Sequence, residues 1–159
     1  MAQIETVAPP AADTRPPLVT PGERVTRTVR YSRDDIARFA ALTHDTNPVH
    51  HDAAAAGRAG HADVIASGQQ TSGLLSGLAA AHFSRDDDGL AREMLCLNFN
   101  FAYRAPIFAE RDIALEWTVS RTEWNETLGG EIAELEGGAT VEGGRAVVAR
   151  GTVLVRHAR

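Results

Sequence analysis

The stretch ALTHDTNPVHHDAAAAG, Ala41 to Gly57, gathers His44, Asp45, His50, His51 and Asp52 around Pro48. Groups of these types serve three chemistries: metal ligation, nucleophilic catalysis with a histidine base, and activation of water by a paired acid and base. With His61, the cluster has enough donors for a metal. Adjacent His50 and His51 diverge, however, and no H-x-x-x-H or H-x-x-E-H spacing sets a coordinating face, so no metal is expected. A serine nucleophile also lacks its frame, because Ser67 is not in a G-x-S-x-G elbow. Asp45 and His50 are separated by a proline turn, which lets a carboxylate and an imidazole converge on one water from opposite sides. Addition or elimination of water needs that arrangement, together with an electrophile site nearby.

The elements that must position these groups follow from local pattern. ERVTRTVRY alternates enough for a strand. Ser32 is an N-cap for RDDIARFAALTH, with Asp34 and Asp35 at the positive end of that helix. The helix must stop before DTNP, because the residue preceding Pro48 is pushed out of helical geometry. Asp52 caps a short AAAA helix that Gly57 ends. The long segment Ser67 to Phe83 predicts a helix with Gly68, Ser72, Ser76 and Ala80 on one small-residue face, beside Gly73, Gly77 and Ala81. Leu74, Leu75 and Leu78 on the other side predict a helix enclosed by the fold, with a close neighbour against its small face. Residues 93–103, 111–124, about 130–142 and 145–157 are strand-like, with a Gly143-Gly144 hairpin signal and a bulge or bend at Gly137-Gly138. A buried helix followed by four long strands implies an α+β domain whose antiparallel sheet covers a helix.

Composition narrows the function. The chain of 159 residues fits one domain, and its formal charge of -5 argues against a partner bound through phosphate neutralisation, nucleic acid above all. All sixteen basic residues are arginine, so Schiff-base and covalent pyridoxal phosphate chemistry have no lysine to use. Arginine still grips phosphate by paired hydrogen bonds, so a phosphorylated small-molecule carrier stays open, although for Arg104, as for any one arginine, a solvated strand-end side chain is the first reading. Cys96 sits in a strand-like run and reads as a small core residue rather than a nucleophile. Proline crowds the first 21 residues, which are expected to form an extended arm, with a single folded domain over 22–159. The N-terminus has no continuous apolar segment of the secretory kind, and GLLSGLAAAHF is shorter than the ~20 residues a bilayer needs. A cytoplasmic location with no membrane partner is the expectation.

FAALTHDTNPVHHDAAAA followed by IASGQQTSGLLSGL resembles the hydratase signature of the MaoC-like, R-specific enoyl-CoA hydratase family, A-x-x-[ST]-x-D-x-N-P-x-H and then I-x-x-G with a long helix. The likeness continues more weakly through LNFNFAYRAPIFAERD to the final hairpin. It implies a hotdog fold, in which the sheet wraps the long helix, and a homodimer or higher assembly of dimers. It also implies an acyl-CoA or acyl-carrier-protein thioester substrate and no cofactor. Asp45 and His50 would be the catalytic pair. Gly68 would supply the backbone N–H of an oxyanion hole, and Ser76 would hydrogen-bond Asp45. Gly68, at the start of the buried helix, stands where free N–H groups and the helix dipole favour negative charge.

Four further positions are expected at the substrate. Asn47 braces the turn or touches substrate. Ser67 stands where the family commonly has histidine, Gln69 replaces an apolar residue, and His61 replaces a phenylalanine. These departures predict a more polar pocket than one for simple fatty acyl chains. The implied reaction is reversible hydration of a trans-2-enoyl thioester to an (R)-3-hydroxyacyl thioester. A hotdog acyl-CoA thioesterase and a non-catalytic acyl-thioester-binding subunit are the alternatives.

Overall fold

A computed structural model describes residues 16–158. The chain forms β1 (Arg24–Arg30), α1 (Arg33–Leu42), a one-turn 3-10 helix (Pro48–His50), α2 (Ala53–Arg58), α3 (Gly68–Phe83), β2 (Arg92–Tyr103), β3 (Asp112–Asn125), β4 (Gly130–Val141) and β5 (Gly144–His157). The five strands make one antiparallel sheet in the order β1-β3-β4-β5-β2. This is the expected α+β arrangement, with the expected strands placed to within a residue or two. Among the described residues no helix is long and apolar enough to cross a membrane.

The core lies between the sheet and α3. Side chains alternate along a strand, and Ile113, Leu115, Trp117 and Val119 of β3 are accordingly all buried on one face. Leu75, Leu78, Ala79 and Phe83 of α3 are buried in the same cluster. Trp117 ties the two layers by a specific bond, its indole Nε1 donating to the Leu75 carbonyl at 2.8 Å. The ring also stacks on Phe99 of β2, 5.4 Å between centroids. Gly137 and Gly138 let β4 approach its neighbours, since a Cβ on either would run into the backbone of Glu116 or Val147. The expected bulge falls just after them, between Ala139 and Thr140.

Three local expectations change. The β4–β5 turn is made by Glu142 and Gly143, both at positive φ (49° and 81°), rather than by the glycine pair. Two consecutive positive φ angles suit the twist of a two-residue hairpin. Cys96 is exposed on β2, one of the two edge strands of the sheet, and is not a core residue. Finally, the fold reaches upstream of residue 22, because Leu18 and Val19 are buried. The Leu18 carbonyl accepts from Arg92 Nε at 2.9 Å, and Val19 N–H donates to Glu131 Oε2 at 2.8 Å. These contacts satisfy backbone groups that burial would otherwise leave without partners. Residues 1–15 of the proposed arm lie outside the described residues.

Candidate active site

The catalytic turn is built by the end of α1. The helix starts on a reciprocal cap: Asp35 N–H donates to Ser32 Oγ at 3.0 Å, and Ser32 N–H donates to Asp35 Oδ2 at 2.9 Å. The Ser32 hydroxyl and N–H together hold the Asp35 carboxyl below its ordinary range. The helix ends well before Pro48. His44 adopts left-handed φ (56°), while His44 N–H donates to the Ala41 carbonyl and Asp45 N–H to the Ala40 carbonyl. This is a Schellman termination with histidine where glycine is usual. It aims Asp45 away from the helix axis.

From there each side chain fixes the next. Asp45 Oδ1 accepts from Asn47 N–H at 3.0 Å, and Asn47 Oδ1 accepts from Val49 N–H at 3.3 Å, capping the one-turn helix that Pro48 starts. His50 closes that helix and is buried. Its Nδ1 lies 2.7 Å from the Ile65 carbonyl, and its Nε2 lies 3.3 Å from Asp45 Oδ2. A carbonyl can only accept, so Nδ1 carries a proton and Nε2 of the neutral ring is an acceptor. One proton is therefore needed between Nε2 and Oδ2 for the pair to attract. His51 turns the other way, its Nε2 3.0 Å from the Asp45 carbonyl, as expected for adjacent histidines.

His50 lines a cavity of about 450 Å³ with His61, Ser67, Gly68, Gln69 and Tyr103. Ser67 is the N-cap residue of α3, but its side chain makes no cap bond, and its hydroxyl donates instead to Gln69 Oε1 at 2.6 Å. Gln70 N–H donates to the Ser67 carbonyl at 3.1 Å, and the Gly68 and Gln69 N–H groups are left for a ligand, where the helix dipole favours an anion. The floor is rigid. Thr71, also a lining residue, bonds the Tyr31 phenol at 3.0 Å, and burial pushes the Tyr31 hydroxyl above its ordinary value despite that bond.

His50 and Gly68 therefore come together at the cavity with Ser67, Gln69 and His61, while Asp45 is not one of its lining residues and is joined to it through His50, 3.3 Å away. Asn47 braces the turn. Ser76 is not brought to Asp45: its hydroxyl donates to the Ser72 carbonyl in its own helix, at 2.9 Å. Nor does the small face of α3 receive the catalytic turn, since a Cβ at Gly73 or Gly77 would meet nothing within 4 Å. Leu74 is also partly exposed.

The close approach is instead at Gly68, over which the Tyr103 ring lies. Tyr103 and Ser72 were not foreseen as site residues. The Tyr103 hydroxyl is 2.7 Å from Ser72 Oγ. The one sequence signal was the spacing of Gly68 and Ser72, one helical turn apart.

Gly68→Ala tests this packing. The new methyl would stand 2.7 Å from Tyr103 Cε1, so the half-exposed ring must swing off Ser72. We expect a loss of about 1 kcal/mol of stability from the broken bond and roughly 10-fold or more in kcat/KM from displaced amide donors. Adding Tyr103→Ala should give back part of the activity; a double variant as impaired as the sum of the two singles would refute the clash.

A helix-backed antiparallel sheet with this strand order, and a cavity at the helix N-terminus, defines the hotdog class. Two solved structures superimpose on the chain accordingly. One, an (R)-hydratase from A. caviae involved in PHA biosynthesis, matches with a TM-score of 0.73 and 24% identity over 85% of this chain and 96% of that one. The other, R-hydratase PhaJ1 from Pseudomonas aeruginosa, matches with a TM-score of 0.74 and 21% identity over 89% and 86%. At these identities the likeness is one of fold.

The MaoC like domain family model matches residues 14–135, well over half of the sequence, and the chain belongs to that family. A mitochondrial 3-hydroxyacyl-[acyl-carrier-protein] dehydratase, FERN, of Solanum lycopersicum is 40% identical over 53 residues. The chain aligns with only 32% of that relative's length, and 33% of its own is covered.

Proposed function

We propose that the protein is a hydro-lyase that adds water reversibly to a trans-2-enoyl thioester of CoA or an acyl carrier protein, giving an (R)-3-hydroxyacyl thioester. The observation that carries this reading is the facing of His50 Nε2 and Asp45 Oδ2, 3.3 Å apart, beside a cavity that His50 shares with Gly68. Membership of the MaoC-like family supports it, as do relatives named for hydratase and dehydratase reactions.

The geometry supports the following steps. A water held by the pair gives a proton to Nε2 as its oxygen attacks the β-carbon. Negative charge collects on the thioester oxygen, where the Gly68 N–H and the dipole of α3 stabilise it. The proton that Asp45 Oδ2 carries then passes to the α-carbon, and the proton taken from water is left between Nε2 and Oδ2. Dehydration runs the same steps backward, and the pair carries one proton before and after the reaction.

A short enoyl-CoA tests the proposal. Lyase activity should remove the conjugated-enone absorbance without releasing thiol. Release of free thiol would point to hydrolysis, and neither change would point to a binding subunit; either result overturns the reading.

The working unit is a homodimer or an assembly of dimers. Leu95 and Leu97 are exposed along edge strand β2, whose outer backbone groups are open to pairing. Sedimentation should return twice the chain mass or a multiple of it. A monomer at micromolar concentration would refute this.

A further inference from the structure

The cavity that holds His50 has an unbalanced charge. Arg104 lines it, and among the described residues no aspartate or glutamate does. Arg111 and Arg145 line a neighbouring cavity that shares Ala105 and Pro106 with this one, and both are ion-paired: Arg145 with Glu116 at 2.7 Å and Arg111 with Glu142 at 3.0 Å. Among the described residues the Arg104 guanidinium has neither an ion pair nor a side-chain hydrogen bond.

Its backbone, by contrast, is fixed. Arg104 N–H and Ala105 N–H both donate to the Ala146 carbonyl, at 2.8 and 3.3 Å, anchoring the end of β2 to the start of β5. Beside it the Tyr103 ring is held by Ser72. Arg104 thus lines a cavity without acid groups from a fixed backbone, and its unpaired guanidinium has its donor fork free for an oxyanion.

The geometry points to Arg104 as the residue that reads an anionic oxygen group on the substrate, either a carboxylate borne by the acyl chain or a phosphate of the carrier arm. Ile65, Ile107 and Val147 give the cavity an apolar wall, and its polar groups are few and distinct. His61, Ser67 and Gln69 line it where apolar side chains would suit a plain hydrocarbon tail. The inference rests on the reading of this cavity as an acyl-thioester site, but not on turnover.

Calorimetry with saturated thioesters separates the two readings, because binding needs no reaction. Three probes suffice: butyryl-CoA, butyryl-N-acetylcysteamine, and glutaryl-N-acetylcysteamine. The first carries phosphates only, the second no anion, and the third a carboxylate only. Arg104→Gln is expected to weaken at least one charged probe by about 10- to 100-fold, with partial recovery in Arg104→Lys, and to leave the uncharged probe within 2-fold.

The charged probe that loses affinity identifies the group that Arg104 reads. Three results would overturn the proposal: unchanged affinity for both charged probes, an equal loss for all three, or no binding of any probe by the wild-type protein. If the probes bind as expected but no enoyl thioester is hydrated, the lyase reading fails and Arg104 keeps its role.

Discussion

His50→Ala and Asp45→Asn should each lower turnover of an enoyl thioester by about 10²- to 10⁴-fold, the range that a positioned acid or base contributes. Asp45→Asn is the cleaner change. An amide keeps the Oδ1 acceptor that Asn47 N–H uses, so the turn should hold, but it cannot exchange a proton with Nε2. Its stability should stay within about 1 kcal/mol of the parent, because the side chain is one-third exposed. His50→Ala removes a buried ring and leaves the Ile65 carbonyl without that donor, so some loss of stability accompanies its loss of rate.

Since the two groups share one proton, the double variant should be scarcely worse than either single one. Steady-state kinetics on the folded variants measures this. Wild-type turnover in either single variant would remove the pair from the chemistry. Multiplicative losses in the double variant would show that the two act separately.

Trp117→Ala should cost about 3–5 kcal/mol, a large part of the 5–15 kcal/mol that holds a domain of this kind together. Trp117 is fully buried and is the largest such side chain. Truncation opens a cavity between β3 and α3, breaks the indole bond to the Leu75 carbonyl, and ends the stacking on Phe99. Stacking of this kind contributes about 0.5–1.5 kcal/mol beyond area. Trp117→Phe retains most of the apolar contact and should cost roughly half as much or less, chiefly the hydrogen bond and a smaller void.

Because α3 carries Gly68, loosening the helix against the sheet should also lower kcat/KM in the folded fraction, with the alanine variant the worse of the two. Denaturant midpoints read the stability directly. A shift below about 1 kcal/mol for the alanine variant would mean that the helix is held by contacts other than this one.

The sequence by itself determined the features that depend on neighbours a few residues away. Ser32 caps α1 and Asp52 caps α2 as expected, with Asp35, expected only to favour the helix dipole, returning the bond to Ser32, and the turn that joins Asp45 to His50 is written in Asn47 and Pro48. Strand alternation and the long apolar helix gave the α+β class, because each must bury one face against the other. Even so, the end of α1 was misplaced in its cause. The helix is stopped by His44 in left-handed geometry, before the constraint imposed by Pro48 acts.

Only the tertiary structure decided which side chains meet across long stretches of chain. Ser76 sits on the predicted face of α3 yet bonds within its own helix, while Tyr103, 31 residues beyond Ser72, takes the place over Gly68. Cys96 has the look of a core residue but lies on an edge strand, and strand order is a property of the sheet rather than of any one segment. The reason is physical. Local hydrogen bonds and backbone sterics fix a helix end or a turn on their own, whereas the rotation of a helix against a sheet is set by how all the buried side chains of both layers pack at once.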